Sequence, residues 1–537
     1  MSDPTRTQIS ADVTSPTTQV EIRLGGAWID VSSSVTSVSI DVQSSNGVSG
    51  LAFGSTVEPR ATVAFTADQA LLQLTDGTNI LTDGTNTLIT VQTNAIDYAW
   101  ALTPIRIKHG FSTSAQLTRF SGVITERSRD SSGGTWGCQG WSAVIASTDI
   151  RSPLITNRPI ATKTESGGND DPTDPGYTGG IVNYTLWKCG GRPYEQAGSY
   201  PNAVFYYSCD TALIAPAFSW IASENAWEAL QRLVRAAGGQ LYQDSLGVIR
   251  YKNPVSLVSG TASVTFSDAV LTAAQRVSNS VVPYQDISER ASIQESLSAV
   301  GCQFVTRRIA GVQVIYEDTE PRYLAAVGQA NSAVTLNLDT QYPIASVSQV
   351  EIDAVVIRTA TAPGTGVAVV LNSSSAQRVT VTISNIGITE PIQIEAIRVV
   401  GNPVEPGEEG SASYAQSVAG LASDRTLQIE DNPWVQSRRH AEQLCQMVWD
   451  FYSGTGAIRT LAGVPYDPDR NVGELVNLTC SLWNITAQPH IIVGIRPENG
   501  AWMSVDLTPV LALLPTVSET YVVGGTYTAD QTLEVGY

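Results

Sequence analysis

Three histidines, His109, His440 and His490, are the side chains of this 537-residue chain best suited to move protons near neutral pH. None stands at a recognisable spacing from a Ser or Cys that it would activate as a nucleophile. By helical angles His440 falls just outside the apolar arc of its predicted helix, so a solvated imidazole is expected there. Six cysteines, Cys138, Cys189, Cys209, Cys302, Cys445 and Cys480, lie scattered with no CxxC pair and no Cys/His group at zinc spacing. They read as buried thiols. Their even number permits bridges, with Cys189 and Cys209 nearest in sequence, but a chain of this size does not need them.

Hard oxygen donors gather in two places. Leu74-Thr-Asp-Gly-Thr-Asn79 recurs unchanged as Leu81-Thr-Asp-Gly-Thr-Asn86, and Asp76 and Asp83 with their Asn and Thr neighbours are donors that calcium accepts. The dense ligand loop and closing Glu of an EF-hand are missing, so a duplicated hairpin or surface loop built on two Asp-Gly turns is the plainer reading. Asp170, Asp171 and Asp174 sit in TESGGNDDPTDPGYTGG, where Pro172 and Pro175 interrupt them in a solvated loop. Two carboxyls become acid and base only when burial drives their pKa values apart, and this setting offers none. No Walker loop, GxSxG, HExxH or Rossmann fingerprint occurs. The sequence therefore assigns no catalytic, metal or cofactor residue, expects no cofactor, and does not suggest an enzyme.

Composition narrows the class. Hydrophobic residues make up 42% and charged residues only 15%, with Ser, Thr, Gly, Val and Asn filling the rest, a balance that favours β-structure. The formal charge of −19 and the lack of any Lys/Arg run argue against ordinary nucleic-acid binding. No window offers the roughly 20 apolar residues of a membrane span, and MSDPTRTQISADVTSPTTQ lacks the regions of a signal peptide. A protein kept in the cytoplasm until it assembles is expected.

The elements that would position such side chains are mostly strands. VEIRLGGAWIDVSSSVTSVSIDV alternates apolar and polar residues, broken at Gly25-Gly26 as a hairpin turn would break it. Strands are also expected at 61–65, 105–108 and 120–126, and repeatedly between 260 and 425, where their even spacing suggests one or two sandwiches or barrels. Trp136-Gly-Cys-Gln-Gly-Trp141 reads as core-packing. Two helices stand out. In SENAWEALQRLVRAAGG, Trp227, Leu230, Leu233, Val234 and Ala237 share one arc, Asn225 caps the start and Gly238-Gly239 the end. A hairpin, 240–243 and 248–251 around Asp244-Ser-Leu-Gly247, follows it. In the second helix Asp431-Asn432-Pro433 supplies a cap and an N1 proline, Ala441, Leu444, Cys445, Val448, Trp449, Phe451 and Tyr452 form the apolar face, and Gly454 ends it.

These stretches resemble the family of phage tail hub, or minor tail, proteins of long-tailed phages. WEALQRLVRAAGG followed by QLYQDSLGVIRY is similar to the family's helix and hairpin at Trp227, Leu230, Ala237, Gly238, Gly239, Leu241, Tyr242, Asp244, Gly247 and Tyr251. LQIEDNPWVQSRRHAEQLCQMVWDFYSG resembles its Asn-Pro-Trp-led helix, and GAWIDVSSSVTSVSI and LTRFSGVITERSRD its first domain. The resemblance covers about half the chain and leaves 74–90, 151–215 and the middle β-region outside it.

What the resemblance implies is a mainly β, multi-domain chain with a few amphipathic helices, its two tail-tube-like β-barrel or sandwich domains each braced by a helix, with inserted β-rich domains. The segments would be a flexible arm (1–18), the first part of the first tube-like domain (19–150), a loop-rich insertion (151–215), helix and hairpin (216–258), a β-rich middle (259–425), helix plus second tube-like domain (426–514) and a tail (515–537). Trp227, Leu230, Leu233, Gly238, Gly239, Pro433, Trp434, Leu444 and Val448 would be the structural residues of the two braces. The family implies a homotrimer whose six tube-like domains form a pseudo-sixfold ring at the virion's tail tip. Its partners would be distal tail and tail-tube proteins, the tape-measure protein and fibre or receptor-binding proteins, with DNA passing through unbound. The alternatives are a tail-tip adhesin that binds carbohydrate, which would need exposed Trp136 and Trp141, and a tail-associated peptidoglycan hydrolase.

Overall fold

A computed structural model describes residues 16–45, 54–66, 72–73, 90–91, 99–111, 116–130, 133–165, 171–172, 174, 177–259, 261–269, 280–291, 299–357, 362, 364–415, 426–430, 432–452, 457–467, 470–498, 502–510 and 521–522. The LTDGTN repeat, Asp170, Gly454 and all of the tail except Tyr521–Val522 lie outside the described residues.

Alternation builds the first strands as expected. β1 (Pro16–Leu24) and β2 (Ala27–Asp30) form a hairpin turned by Gly25 and Gly26, both at positive φ where a Cβ would be strained. β3 (Val35–Ser45) pairs antiparallel with β4 (Ser55–Thr66), in which Val57, Ala61, Val63 and Phe65 point inward while Arg60, Thr62 and Thr66 face solvent. β5 (Pro104–Phe111), β6 (Leu117–Arg129) and β7 (Gly133–Gln139) complete an antiparallel run in the order β2-β1-β5-β6-β7-β4-β3. Trp136 and Trp141 are both buried.

A helical layer follows. α1 (Ser142–Ala146) precedes α2 (Ile181–Lys188), and β8 (Gly191–Pro193) and β9 (Phe205–Cys209) run parallel beside each other. The segment 151–215 thus holds more than the loop its Gly, Pro and Asp content suggests. Every residue of α2 from Ile181 to Trp187 is buried, so the helix has no polar face and no amphipathic period to betray it. Its polar members are satisfied locally: Asn183 Nδ2 donates to Thr162 O at 2.9 Å, and Thr185 Oγ1 to Ile181 O at 2.8 Å. α3 (Ala226–Ala237) then leads into the antiparallel hairpin of β10 (Gln240–Gln243) and β11 (Val248–Lys252). β10 extends the main sheet by pairing with the start of β4, and β11 pairs with β9.

β12 (Thr265–Ser267) and β13 (Asp286–Ala291) also belong to the main sheet. The middle of the chain then forms a separate β-sandwich. β14 (Ala299–Ile309), β15 (Gln313–Asp318), β16 (Ala333–Asp339), β17 (Ile344–Val356), β18 (Val367–Ser375) and β19 (Arg378–Asn385) precede β20 (Ile392–Ala415), whose 24 residues pair with β14, β15 and β17. The β16-β19-β18 sheet packs on it: Leu336, Leu338, Val379, Val381 and Ile383 share a core with Ile392, Ile394, Ile397 and Val399.

After α4 (Arg438–Tyr452) come β21 (Ala457–Pro465), β22 (Leu475–Cys480), β23 (Ile485–Glu498) and β24 (Trp502–Pro509), which pair with one another and with β12 and β13. At Val42↔Ile495 and Gln43↔Gly494 strand β3 pairs with β23, so the N-terminal and C-terminal strands are one 18-stranded sheet. The chain is mainly β, but the expected barrels are not closed among the described residues. The end of the strand that would close the first, β3, is paired with β23 instead, while among the described residues β2 pairs with β1 alone.

Two residue pairs cannot hold the halves together, since a backbone hydrogen bond contributes roughly 0.5–1.5 kcal/mol net. The shared core does. Val63, Phe65, Ile105, Ile107, Phe120 and Trp136 from one half lie in the same apolar cluster as Leu461, Val464, Val476, Leu478, Ile495 and Val505 from the other. Full burial of each such side chain is worth about 1.5–3 kcal/mol, so apolar packing outweighs the ladder severalfold. Ile495→Ala should therefore cost about 2–5 kcal/mol and lower hydrogen-exchange protection in both β4 and β24. Loss of protection confined to β24 would mean that the halves have separate cores.

Candidate functional site

The residues expected to matter meet where the end of α3 abuts the segment leading into α4. α3 begins as its sequence requires: Asn225 Oδ1 accepts from the amides of Trp227 (3.0 Å) and Glu228 (3.3 Å), and Asn225 Nδ2 donates to Ala146 O at 2.5 Å. Trp227, Leu230, Leu233, Val234 and Ala237 are buried, and Trp227 Nε1 donates to Glu58 Oε1 of β4 at 2.6 Å. Gly238 ends the helix at φ 68°, its amide bonding to Arg235 O. In the hairpin beyond, Asp244 Oδ1 accepts from the amides of Leu246 and Val248, and Gly247 has φ 82°.

α4 starts later than Asn432-Pro433 suggests. Ser437 caps it, its Oγ accepting from the His440 amide at 3.1 Å. Asn432 and Pro433 belong to the turn before it, and Asn432 reaches across to α3: its Nδ2 donates to Arg232 O at 2.8 Å while its Oδ1 accepts from Trp434 N. His440 is likewise turned to α3. Its Nε2 lies 2.9 Å from Ala236 O, and because a carbonyl only accepts, that nitrogen carries the proton. The solvated imidazole expected from helical angles is therefore 2% exposed, and burial pushes its pKa down to about 4. Helical angles locate one apolar neighbour; α4 has two, and His440 faces the second.

The two helices do not brace separate tube-like domains. Trp227, Leu230, Leu233, Trp434, Leu444 and Val448 all belong to one cluster. α4 packs on β14 and β20, with Cys445 Sγ donating to Ala412 O at 3.6 Å and the Trp449 ring 5.9 Å from Tyr414. Only Ile491, Val493 and Val510 bring the C-terminal strand region into that cluster, with Leu475 packed against it. Gly238 sits against Met447 and Leu444 of α4, Gly239 against β11, and Pro433 is half-buried on the wall of a cleft.

All six thiols are free and buried, and Cys189 and Cys209 are not bridged. Burial pushes the Cys138 and Cys189 thiols up to about 12. Cys302 and Cys445 are coupled, and the effect of each on the other raises the Cys302 thiol and lowers that of Cys445. His490 must be neutral to do what it does: Nδ1–H donates to Gln488 O at 2.8 Å and Nε2 accepts from Arg459 Nη1 at 2.8 Å. His109 Nδ1 lies 2.5 Å from Tyr466 OH. Burial lowers both imidazoles to about 4. These histidines hold structure together, and among the described residues no group of three or more His, Cys, Asp or Glu gathers as metal ligands.

The cleft beside the junction has a volume of about 640 Å³ and is lined by Arg232, Gln303, Phe304, Val305, Arg307, Glu409, Gly410, Ser411, Asn432 and Pro433. Val305 N donates to Val435 O at 3.1 Å, tying β14 to the turn before α4. Arg232 forms an ion pair with Glu224 and lies over Trp434, whose Nε1 donates to Trp220 O at 3.2 Å. Sequence reasoning had a signal for Ser437, a hydroxyl three residues before a helical turn, but none for Arg307 or for the reach of Asn432.

Two outcomes follow from this geometry. Gly239→Ala should destabilise the protein by about 3 kcal/mol and more than Gly238→Ala, although only Gly238 has positive φ. A Cβ at 239 would lie 2.5 Å from the Lys252 carbonyl oxygen, which the hairpin fixes, whereas at 238 the conflict is with the terminal methyl of Met447, which can swing aside, leaving backbone strain of about 1–2 kcal/mol. Thermal unfolding of the two variants gives the ranking; the reverse order would refute it.

Stability should also fall with acidity in a defined window. His440 and His490 titrate near 6.5 when unfolded and about 4 when folded, so between those values the unfolded chain binds more protons. Stability is full above pH 6.5, declines as pH drops to about 4, and changes no further on their account below it, by at most about 3 kcal/mol for each. Urea midpoints at pH 7.5, 5.5 and 4.5 read the slope, and His440→Gln should flatten it. A midpoint unchanged between pH 7.5 and 4.5 would contradict the assignment.

No family model matches the chain, and no curated protein matches it.

Proposed function

We propose that the chain is a structural hub protein of a phage tail tip, assembling as a homotrimer whose two β-rich halves per chain match a sixfold tail tube. The observation that carries this reading is the continuous main sheet, in which N-terminal and C-terminal antiparallel strands share one core. The order of the helix-and-hairpin and Asn-Pro-Trp stretches along the chain supports it. In this role the protein continues or closes the DNA channel, seats the tape-measure protein, abuts distal tail and tail-tube proteins, and anchors fibre or receptor-binding proteins in the virion. An acidic chain with 31 Lys and Arg against 50 Asp and Glu suits a channel that must not retain DNA. The task is geometric and requires no reactive side chain.

A carbohydrate-binding tail-tip adhesin would need Trp136 and Trp141 at the surface, and both are buried, at 0% and 5% exposure. Native mass measurement with negative-stain imaging tests the hub reading. Three copies of the 57.1-kDa chain in a ring that binds tail-tube extracts are expected. A stable monomer that never joins tails would refute it, and Leu230→Asp, which buries a charge in the helical core, should abolish both fold and ring.

A further inference from the structure

The cleft between α3, the turn before α4 and strands β14 and β20 has both cationic and apolar walls. Its volume of about 640 Å³ falls within the range of ligand pockets, roughly 300–1,000 Å³. Two guanidinium groups line it, each backed by an indole: Arg232 lies 5.4 Å from the Trp434 ring centroid and Arg307 lies 5.2 Å from that of Trp220. An indole face attracts the cation and orients its plane, leaving the N–H edge to donate.

The two arginines differ in what they already hold. Arg232 has Glu224. Arg307 has no carboxylate at ion-pair distance among the described residues, and its Nε is buried without an acceptor. Burial penalises the Arg307 cation and Glu409 offsets this only in part, so an oxygen anion that meets the outer N–H groups from the cleft removes an unfavourable term. The backbone is irregular at this residue: the register of β14 against β20 shifts between Val305, opposite Glu409, and Arg307, opposite Pro406, the extra residue lying in β20. The bulge bends β20 beside Arg307, and Gly407 permits the close approach of the two strands, because a Cβ there would lie 2.5 Å from Thr306 Oγ1.

The rest of the wall limits the ligand. Phe304, Val305 and Pro433 offer apolar surface beside the arginines. Glu409 also lines the cleft, so a ligand charged over its whole surface is disfavoured, and the chain's −19 charge repels nucleic-acid phosphates further. We infer that the cleft docks a peptide segment of a partner protein, an Asp or Glu side chain forking onto Arg307 and an apolar neighbour lying against Phe304, Val305 and Pro433. The chemistry of the cleft is the same whatever assembly the chain enters.

Fluorescence anisotropy of the full-length chain with a labelled hexapeptide of alternating Glu and Leu tests this. Saturable binding is expected, weakening as salt rises, with at least a tenfold loss in Arg307→Gln and a several-fold loss in Arg307→Lys, which keeps the charge but not the planar fork. The lysine variant keeps the test readable should the glutamine variant fold poorly. No saturable binding would overturn the inference, as would equal binding of a control hexapeptide of alternating Gln and Leu or unchanged affinity in folded Arg307→Gln. Displacement by inorganic phosphate as effective as by unlabelled peptide would also overturn it, marking a simple anion site.

Discussion

The buried C-terminal end of α3 is the constraint on which the interior depends. A helix leaves its last carbonyls without partners, and water satisfies them only at a surface. Here the end is enclosed: His440 of α4 supplies a donor to Ala236 O in the last turn, and Asn432 adds a second donor to Arg232 O one turn earlier. Once those bonds are made, Gly238 can lie directly against Met447 and Leu444, and Trp227, Leu233, Trp434 and Trp449 can share one core. The same contact orients the turn at Asn432-Pro433, which becomes a wall of the cleft.

The main sheet repeats this logic with apolar groups. β3 and β23 meet over two residue pairs, yet the side chains beneath belong to one cluster. The middle sandwich is attached differently, through β14 and β20 running on into the layer that α4 covers. The helices thus join three β-regions at one place rather than serving one region each.

What could be read from the sequence was what local chemistry decides. The cap at Asn225, the left-handed Gly238, the Asp244–Gly247 turn and the Gly25-Gly26 hairpin follow from residue types that only those conformations favour. Alternation marked β4 and β19 because each faces core on one side only. α2 has no sequence signature because burial on all sides erases the 3.6-residue period. His440 was placed on the wrong surface because angular position says nothing about a second neighbour, and Asn432-Pro433 mimicked a helix start that Ser437 supplies. The open sheet depends on Val42 meeting Ile495, and the cleft on a register shift opposite Thr306; neither leaves a local trace.

The reach of Asn432 and His440 to α3 spans 200 and 204 residues of chain. During synthesis, at roughly 5–20 residues per second, α3 leaves the ribosome about 10–40 s before the side chains that complete its end exist. For that interval the helix has an apolar face without α4, and the Ala236 carbonyl can meet only water. The N-terminal half is therefore committed to waiting: α4 completes the helical core, and the strands synthesised after it, β21 to β24, complete the core of the main sheet.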